Sequence, residues 1–574
     1  MREAAIWTAA PVPAVARELA VAGWSPLLSA LLARRGVGSP DAARRFLAPS
    51  RNDLRDPREL AGLASAVARL KEACLRGERV AVVGDYDADG VTATALLATV
   101  LRTCGLEIET ILPDRFRDGY GFQPSHAETA AERGCRVLVT VDCGIGSHEA
   151  VERSTRLGLE VIITDHHLPG ATVPTATAVL DPHSGGPEAP GRELTGVGLA
   201  LKLGIALLEE LGRPVPLESL LRVACLGTIA DVAPLLAENR VIAALGLAAL
   251  RDARSPGLRA LLRIAQVEPP VKAEDVAFRL APRLNAAGRL GSADLALELL
   301  CTRDERRATE LAQRLDRLNR ERQGLELRAV QEARARFEPN GDERGILVDW
   351  SPTWHRGVVG IAAGRLAREL HRPALLLAEQ EGVAVGSGRS VPGIDLHRFL
   401  EPWEARMMRF GGHSQAIGLS VAVEALETLR GEWEAEASAW PPEWRQRRLE
   451  YEVELGPSDL IPDLVEQMAR LAPHGLGNPE PTLRLGPLVA TRTARAFGNG
   501  HLEIQAGHPS GGGELELVGW GWADRRDLFT GTFEVLVTLR LGQRATRGPG
   551  ARIVDARPAD RRVQESRHVV ESPQ

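Results

Sequence analysis

The sequence is poor in cysteine and in aromatic residues, and it has no long apolar run. Its 574 residues include six cysteines and no CxxC pair, which argues against a disulfide framework and a zinc knuckle. No stretch approaches the roughly 20 uninterrupted apolar residues that a membrane span requires. The N-terminus lacks the compact apolar region of a signal peptide. We therefore expect a cytoplasmic location and no membrane association.

The charge balance does not by itself favour a polyanionic partner. The net charge is −6 at pH 7, so binding of nucleic acid would depend on local basic patches. Nearly all the positive charge is arginine, because Lys71, Lys202 and Lys272 are the only lysines. Arginine can bind phosphate through two parallel hydrogen bonds, although a GC-rich genome would produce the same bias.

Short β-branched runs alternate with helical segments between residues 79 and 182. Each run is apolar throughout, as expected of strands that are covered on both faces of a parallel sheet. The spacing predicts βαβ units. The runs are RVAVVG (79–84), IETIL (108–112), RVLVTV (136–141), LEVIIT (159–164) and TAVLD (177–181).

The length exceeds what one core can hold and predicts several domains. A heavily charged helical pattern is expected to connect two α/β regions, and short strands with glycine-rich turns near the C-terminus suggest a small barrel. The predicted domains are an N-terminal helical segment (1–50), a metal-binding α/β domain (51–300), a connecting helix (301–338), a second α/β domain (339–438), a β-barrel (446–558) and a disordered tail (559–574).

The segment VVGDYDADG, residues 82–90, carries closely spaced carboxylates. An apolar strand ends here, and aspartates follow at alternate positions: Asp85, Asp87 and Asp89. Carboxylates this close repel one another in a folded site, so a positive charge must hold them together. Taken alone, such a run also occurs in calcium loops and in solvated turns.

Two further polar clusters follow strands of the same predicted sheet. Asp142 follows the third run, and Asp165, His166 and His167 follow the fourth. A pair of histidines alone is compatible with an ordinary helix cap. Because ligands of an open parallel sheet bind beyond the carboxyl ends of its strands, all three clusters are expected at one edge.

This combination of residues predicts a metal site that acts on phosphate. Carboxylates with one or two imidazoles suit manganese, with magnesium as the alternative. There are enough ligands for two ions, and two ions about 3.5–4 Å apart can activate water for an in-line phosphoryl displacement. We find no nucleophile and base arranged for acyl transfer.

DYDADG, VDCG and DHH, in this order, resemble the motifs of the DHH phosphoesterase superfamily, and GDYDADG is most similar to its RecJ exonucleases. LGTIADVAPL (226–235) resembles a further motif of the family. The resemblance covers roughly residues 55–545. It implies an α/β fold with a parallel-sheet phosphoesterase domain, a long connecting helix, a smaller DHH-associated α/β domain and a C-terminal OB-like β-barrel.

The resemblance also implies roles for individual residues. His167 would polarise the scissile phosphate or assist the leaving group. Asp85 would act as a catalytic residue, either as a metal ligand or as a hydrogen-bond partner of one. Asp142 would bridge two ions. The implied metal ligands are Asp87, Asp89, Asp142, His166 and Asp231.

One position departs from the superfamily pattern. Many DHH proteins place a histidine ligand four residues before the second aspartate of the run, where this chain has Val83. Valine cannot bind a metal ion. The first ion would then be held more weakly, or Asp85 or water would take the place of the histidine.

Two segments of the metal domain resemble substrate-contacting parts of the family. In LPDRFRDGYGFQP, Arg115 is the candidate for a phosphate contact and Tyr120 for stacking, or for simple packing in a turn. In LAPRLNAAGRLGSADLALELL, Arg283 and Arg289 flank an Asn-Ala-Ala-Gly turn that would clamp the backbone of the substrate. A surface salt bridge is the alternative for either arginine.

The second α/β domain and the barrel supply further candidates. GSGRS and GGH resemble the DHH-associated domain, in which Ser387 and Arg389 would bind a terminal 5′ phosphate with His413 nearby. The barrel resembles an OB-type domain that binds single strands. Its candidates for stacking, against a role in core packing, are Phe497, Trp520 and Trp522.

The resemblance implies a 5′-to-3′ exonuclease specific for single-stranded DNA, with two Mn²⁺ ions (or Mg²⁺), that releases 5′ mononucleotides in repair and recombination. It would act as a monomer beside a helicase and a single-strand-binding protein. One alternative is a DHH phosphodiesterase for short oligonucleotides or cyclic dinucleotides, but those proteins are shorter and lack the β domain. The other is an inactive single-strand-binding relative, which would have lost metal ligands.

Overall fold

The computed structural model describes residues 5–119, 121–337, 344–455, 462–498, 500–510, 514–540 and 550–559. They form two compact units. One comprises Ser50–Arg445, and the other joins Met1–Pro49 to Gln446–Gln574. In the described part of the chain, no helix is both long enough and apolar enough to cross a membrane.

The N-terminal segment contains a strand besides the expected helices. Helices α2 (Pro26–Arg34) and α3 (Pro40–Leu47) each begin with a proline that follows a serine. The hydroxyls of Ser25 and Ser39 accept hydrogen bonds from backbone amides of the first turn. The elements are β1 (Ile6–Ala9), α1 (Ala16–Val21), α2 (Pro26–Arg34) and α3 (Pro40–Leu47).

The first α/β domain is built on a five-stranded sheet in the order β3-β2-β4-β5-β6, and every pair of neighbours is parallel. The elements in chain order are α4 (Leu63–Arg76), β2 (Val80–Val83), α5 (Ala88–Thr103), β3 (Ile108–Ile111), α6 (Pro124–Glu132), β4 (Val137–Val141), α7 (His148–Arg156), β5 (Glu160–Thr164), β6 (Ala178–Leu180), α8 (Gly196–Glu210), α9 (Leu217–Ala230), α10 (Ala237–Leu250), α11 (Pro256–Ile264), α12 (Ala273–Asp275), α13 (Ala281–Leu290) and α14 (Asp294–Cys301).

Both faces of this sheet are buried, as the uniformly apolar runs predict. Val80 and Val82 of β2 pack in one core with helices α4, α5 and α8. Ala81 and Val83 of the same strand pack in a second core with helices α6 and α7. The carboxyl ends of the strands are therefore the part of the sheet that is open to ligands.

A long helix leads into the second α/β domain, whose sheet has the order β10-β11-β9-β8-β7. Leu311 and Leu315 of this helix pack in a core of the first domain, and Val330 and Phe337 pack in a core of the second. The elements are α15 (Glu305–Phe337), β7 (Leu347–Ser351), α16 (Val359–Leu370), β8 (Ala374–Gln380), β9 (Val383–Arg389), α17 (Leu396–Leu400), β10 (Arg409–His413), β11 (Ala416–Ala422) and α18 (Val423–Ser438).

The C-terminal region forms the barrel. Strand β14 pairs with both β18 and β16, so the order β14-β18-β19-β17-β16 closes on itself. The elements are β12 (Arg448–Tyr451), β13 (Val453–Leu455), α19 (Pro462–Ala469), β14 (Thr482–Ala490), β15 (Arg495–Phe497), β16 (His501–Gly507), β17 (Glu514–Gly519), β18 (Phe533–Arg540) and β19 (Gly550–Pro558).

The predicted fold class is confirmed, including the connecting helix and the OB-like barrel. The tail predicted to be disordered lies outside the described residues from position 560 onwards. The N-terminal segment belongs to the same compact unit as the barrel, because β1 pairs in parallel with β12. This pairing joins residues far apart in the sequence, and the local helical pattern of residues 1–50 contains no sign of it.

Arg35 connects the N-terminal segment to the barrel. Its guanidinium donates to Glu452 Oε1 at 2.8 Å and to Asn478 Oδ1 at 2.6 Å. The Arg35 side chain is 2% exposed and that of Glu452 is 14% exposed. Loss of one partner of a buried ion pair is strongly destabilising because the other charge stays buried without compensation.

We expect Arg35→Ala to lower the free energy of unfolding of this unit by roughly 3–5 kcal/mol. Urea unfolding followed by tryptophan fluorescence measures the change. The matched control is Arg44→Ala, which removes an exposed pair with Asp41 on α3 and should cost less than about 1 kcal/mol. Equal losses in the two variants would contradict the connecting role of Arg35.

Candidate metal centre

The aspartate run lies between β2 and the first turn of α5. The Asp87 carboxylate caps α5, with Oδ1 accepting from the amides of Asp89 at 2.9 Å and Gly90 at 3.1 Å. Aspartate is a preferred cap because its oxygen satisfies amides that have no partner within the helix. Asp85 and Asp89 are buried on either side of this cap. The alternate spacing therefore brings all three carboxylates to the carboxyl end of β2.

Asp142 follows β4 in a strained backbone conformation. Its φ is 61°, in the left-handed region that residues other than glycine rarely adopt. Such strain concentrates at functional sites. Gly196, at the start of α8, passes so close that a Cβ there would lie 2.4 Å from the Asp142 Cβ. Glycine at this position thus allows α8 to approach the Asp142 carboxylate.

The histidine pair follows β5, and Asp165 orients it. Asp165 Oδ1 accepts from the amide of His166 at 2.8 Å and lies 2.7 Å from Nδ1 of His167. Asp165 Oδ2 accepts from the amide of Ile145 at 2.9 Å. A carboxylate of this kind fixes the tautomer and the direction of a functional imidazole. Sequence reasoning noted Asp165 at the strand end but gave it no role.

Asp89 is held by the N-terminus of a second helix. Its carboxylate accepts from the amides of Gly196 at 2.7 Å and Val197 at 3.0 Å, where the helix dipole favours negative charge. Asp231 directly follows the last residue of α9. His166 Nε2 lies 3.8 Å from an Asp89 oxygen and 4.0 Å from an Asp231 oxygen.

The separate stretches converge into one cluster of possible metal ligands. His166 Nε2 lies 3.0 Å from Asp142 Oδ1, and ligand atoms in each group lie within 4.8 Å of one another. Asp142 belongs to two of the groups, as does His166. The groups are Asp142 with His166 and His167; Asp89 with His166 and Asp231; and Asp85 with Asp87 and Asp142.

The electrostatics of the cluster favour the binding of a cation. Burial and mutual repulsion raise the pKa values of Asp85, Asp89 and Asp142 well above the usual range. Burial, followed by the charge of Asp87, raises the pKa of Asp231 to about 7. Asp85 Oδ1 is buried and has no hydrogen-bond partner among the described residues. A divalent ion would relieve each of these costs.

The two histidines differ in charge preference. Burial lowers the pKa of His166 to about 4, which keeps its imidazole neutral and available as a ligand. Burial also opposes the charged form of His167, but the hydrogen bond with Asp165 and the negative charges of Asp165, Asp231 and Asp85 together outweigh it and raise the pKa to about 9. The two residues therefore suit the different roles that the sequence predicts: His166 as a ligand and His167 as a donor to phosphate.

Val83 leaves no imidazole at the position where many DHH proteins have one. Its side chain is fully buried in the core of the sheet. The group of Asp85, Asp87 and Asp142 lies at the end of the same strand. Of the two substitutes considered from the sequence, the geometry offers Asp85 directly.

The segment expected as an Asn-Ala-Ala-Gly turn is instead part of helix α13. Asn285 Oδ1 accepts from the amide of Ala88 at 2.7 Å and thus helps to cap α5. A Cβ at Gly288 would lie 2.4 Å from the Tyr86 carbonyl oxygen. The helix therefore packs directly on the aspartate run. Local propensity favoured a turn because Asn and Gly are poor helix formers, but this tertiary contact overrides it.

The predicted arginines have different surroundings. Arg115 lies over the Tyr86 ring, with 5.1 Å from Cζ to the ring centroid. Arg289 Nη1 donates to the Gly357 carbonyl at 3.3 Å, and burial lowers the pKa of Arg289 to about 10. Arg283 forms an ion pair with Asp316 of α15 at 2.8 Å, which is the salt bridge raised as the alternative, but the pair is largely buried and does not lie on the surface. A contact between Arg283 and the substrate stays a prediction.

Ser387 and Arg389 lie side by side on β9. An Arg389 guanidinium nitrogen donates to the Ser387 hydroxyl. Gly360, in the first turn of α16, faces this pair, and a Cβ there would lie 3.1 Å from Ser387 Oγ. His413 is the last residue of β10 and pairs with Ala416 of β11, and Ala416 also pairs with Arg389 of β9. The structure therefore places all three residues at one end of the second sheet.

The barrel aromatics separate into an exposed and a buried set. Trp520 is 49% exposed and forms an edge contact with His501, at 4.5 Å between centroids. Phe497 meets both rings. Trp522 is buried against Phe529, which matches the alternative of core packing. Tyr120 lies outside the described residues.

Family models match three parts of the chain. The DHH family N-terminal domain matches residues 79–228, the DHHA1 domain residues 343–439, and the RecJ OB domain residues 451–548. The parallel sheet and the carboxylates and imidazoles at its edge thus define a protein of the DHH class.

Curated relatives give the narrower assignment. A protein of Dickeya dadantii is 37% identical over 522 residues, which cover 85% of this chain and 88% of the relative. A protein of Escherichia coli is 36% identical and covers the same shares. A Bacillus subtilis relative is 36% identical, and the match spans 63% of its length. Each is named single-stranded-DNA-specific exonuclease RecJ. The chain belongs to the RecJ family.

Solved structures of RecJ proteins support the same family assignment. RecJ of Thermus thermophilus in complex with Mn²⁺ has a TM-score of 0.84 and 33% identity, covering 98% of this chain and 80% of that one. The Mg²⁺ complex has a TM-score of 0.77 and 31% identity, covering 98% of this chain and 79% of that one. The predicted family, the predicted class of metal-dependent exonuclease and the predicted identity of the metal, Mn²⁺ with Mg²⁺ as the alternative, are thereby confirmed.

Proposed function

We propose that this chain is a 5′-to-3′ exonuclease that degrades single-stranded DNA and releases 5′ mononucleotides. The observation that carries the proposal is the convergence of carboxylates and imidazoles from four separate stretches into one buried cluster. The names of the curated relatives support the choice of substrate. The aspartates of the cluster and both histidines of the DHH motif are present, which weighs against an inactive relative, and the barrel weighs against an enzyme for short substrates.

Asp87, Asp89, Asp142, His166 and Asp231 would hold the metal, and Asp85 would complete the ligand set in place of the missing histidine. The chemistry that a pair of divalent ions supplies in such a site is activation of water and neutralisation of charge on phosphoryl oxygens. His167, held by Asp165, would donate a hydrogen bond to the scissile phosphate or protonate the leaving oxygen.

The remaining predicted contact residues would bind the DNA strand. Arg115, beside the aspartate run, would contact a phosphate near the cleaved bond. Ser387 and Arg389 would bind the terminal 5′ phosphate, with His413 at the same end of the sheet. Cytoplasmic action as a monomer in repair and recombination, beside a helicase and a single-strand-binding protein, belongs to the same proposal.

The test compares single strands blocked at either end, with Mn²⁺, Mg²⁺ or a chelator. We expect a 3′-blocked strand to be degraded to mononucleotides and a 5′-blocked strand to persist. Chelation should stop the reaction. Degradation of the 5′-blocked strand from its 3′ end would contradict the proposed polarity, and release of products from short oligonucleotides alone would favour the other DHH class.

Arg389→Ala is expected to abolish the preference for a 5′ phosphate. Loss of a hydrogen bond to a charged group costs about 1.5–3 kcal/mol, which corresponds to roughly a 10- to 100-fold change. The measurement is the ratio of kcat/KM for strands with 5′ phosphate and 5′ hydroxyl. Arg398→Ala, an exposed arginine on α17, is the matched control and should leave the ratio unchanged. An unchanged ratio in Arg389→Ala would remove the assignment.

A further inference from the structure

Residues 114–119, which follow β3, form a compact loop that we call the strap. Asp114 Oδ1 accepts from the amides of Phe116 at 2.8 Å and Arg117 at 3.1 Å. Asp118 Oδ2 accepts from the amide of Asp114 at 2.8 Å. These bonds within the loop fix its shape, as in an Asx turn. They do not fix where the loop lies relative to the rest of the molecule.

One side of the strap contacts the metal centre. The Arg115 guanidinium lies over the ring of Tyr86, the residue between Asp85 and Asp87. A cation over an aromatic ring contributes about 0.5–2 kcal/mol, depending on its exposure. Arg115 is therefore placed beside the aspartate run by a contact of modest strength.

The other side of the strap contacts the second α/β domain through Arg356. Its Nη2 donates to the Phe116 carbonyl at 3.1 Å, and its Cζ lies 4.3 Å from the centroid of the Phe116 ring. His355 meets the same ring edge-on at 5.5 Å. Arg356 thus binds both the backbone and the side chain of a single strap residue. It belongs to the segment between β7 and α16.

Like charges surround Arg115. The positive charge of Arg115, after burial, contributes to the lowered pKa values of Arg289 and Arg389. Arg115 is therefore close enough to be repelled by these residues when no phosphate lies among them. An attachment of the strap to the second domain opposes that repulsion.

We propose that Arg356 is a positioning residue that latches the strap across the two α/β domains, so that Arg115 is held ready for a phosphate and the strand is retained between cleavage events. The inference rests on the proposed function and extends it. Arg356 itself contacts neither the metal ligands nor the Ser387–Arg389 pair in the described structure. Its effect on the reaction is exerted through Phe116 and then Arg115.

The test uses the full-length protein with Mn²⁺ and a long 5′-phosphorylated single strand. For Arg356→Ala we expect KM to rise about 10-fold, because the variant loses roughly one hydrogen bond of a charged group. We expect kcat to stay within about two-fold of the wild type. The number of nucleotides removed per encounter, measured with an excess of unlabelled trap strand, should fall. Arg398→Ala removes the same charge from an exposed position on α17 and should change neither quantity.

Phe116→Ala removes the ring but keeps the carbonyl, and we expect the same phenotype in a weaker form. Arg356→Lys keeps the charge but loses the planar fork, so it should restore KM only in part. In the double variant with Arg115→Ala, the loss of Arg356 should add little, since both act on one contact. Additive effects, or wild-type KM and retention in both single variants, would overturn the latch. An inactive wild-type protein would instead contradict the proposed function.

Discussion

Asp142→Ala is expected to lower kcat for single-stranded DNA by about three to four orders of magnitude, since a metal centre contributes several kcal/mol and each 1.36 kcal/mol is tenfold. Asp142 belongs to two of the three ligand groups, so its loss affects both at once. Binding of the strand should persist, because the predicted phosphate contacts lie on other elements. Single-turnover kinetics and fluorescence anisotropy separate the two quantities.

Asp181→Asn is the matched control for this variant. Asp181 follows β6 of the same sheet and is also buried, but its carboxylate accepts from the amide of His183 and belongs to none of the ligand groups found among the described residues. Asparagine retains that acceptor. We expect nearly wild-type turnover. Undiminished hydrolysis by Asp142→Ala, or an equal loss in Asp181→Asn, would contradict the assignment of Asp142.

Binding of Mn²⁺ is expected to stabilise the larger unit more strongly at pH 8 than at pH 6.5. Without metal, burial raises the pKa of Asp231 to about 7, so the folded state binds more protons than the unfolded state between its ordinary pKa, near 4, and pH 7. The free energy of unfolding of the metal-free protein therefore falls as the pH rises from about 4 towards 7, and this effect of Asp231 levels off above pH 7. The lowered pKa of His166, about 4, acts in the opposite direction only below about 6.5. The raised pKa of His167, about 9, acts in the same direction as Asp231 between about pH 6.5 and 9.

The metal removes this penalty because it replaces the protons. At 100 times Kd it should add about 2.7 kcal/mol to the free energy of unfolding. Thermal unfolding at the two pH values, with and without Mn²⁺, measures the difference. Calorimetry in buffers of different ionisation enthalpy should show proton release at pH 7. Asp231→Asn should reduce that release. Stabilisation that is independent of pH would show that the carboxylates are not the ligands.

The site could be predicted from sequence to the extent that parallel topology determines it. Asp85, Asp142 and His166 each follow an apolar run, and the carboxyl ends of parallel strands necessarily meet at one edge. Asp231 comes from a helix, so only the resemblance to a known family indicated it. The roles of Asn285 and Gly196 depend on helix packing, which leaves no local pattern in the sequence.

The fold, like the site, could be predicted from the sequence only in part. The strands of the first sheet were predictable because full burial demands uninterrupted apolar runs. Strand β1 was not, because its pairing with β12 joins residues more than 400 positions apart. The stretch LRLGPLVATRTARAF (483–497) is divided into β14 and β15, and the pairing of β14 shifts its register between Leu485 and Leu488. Periodicity does not reveal where a strand turns away from its neighbour.

Helix α15 has a consequence for the length of the product. Its 33 residues span about 50 Å, and its two halves are anchored in the cores of two different domains. Because both halves are packed in these cores, the helix keeps the interval between the candidate metal ligands and the Ser387–Arg389 pair fixed. In the proposed enzyme, this fixed interval would determine the size of the released fragment.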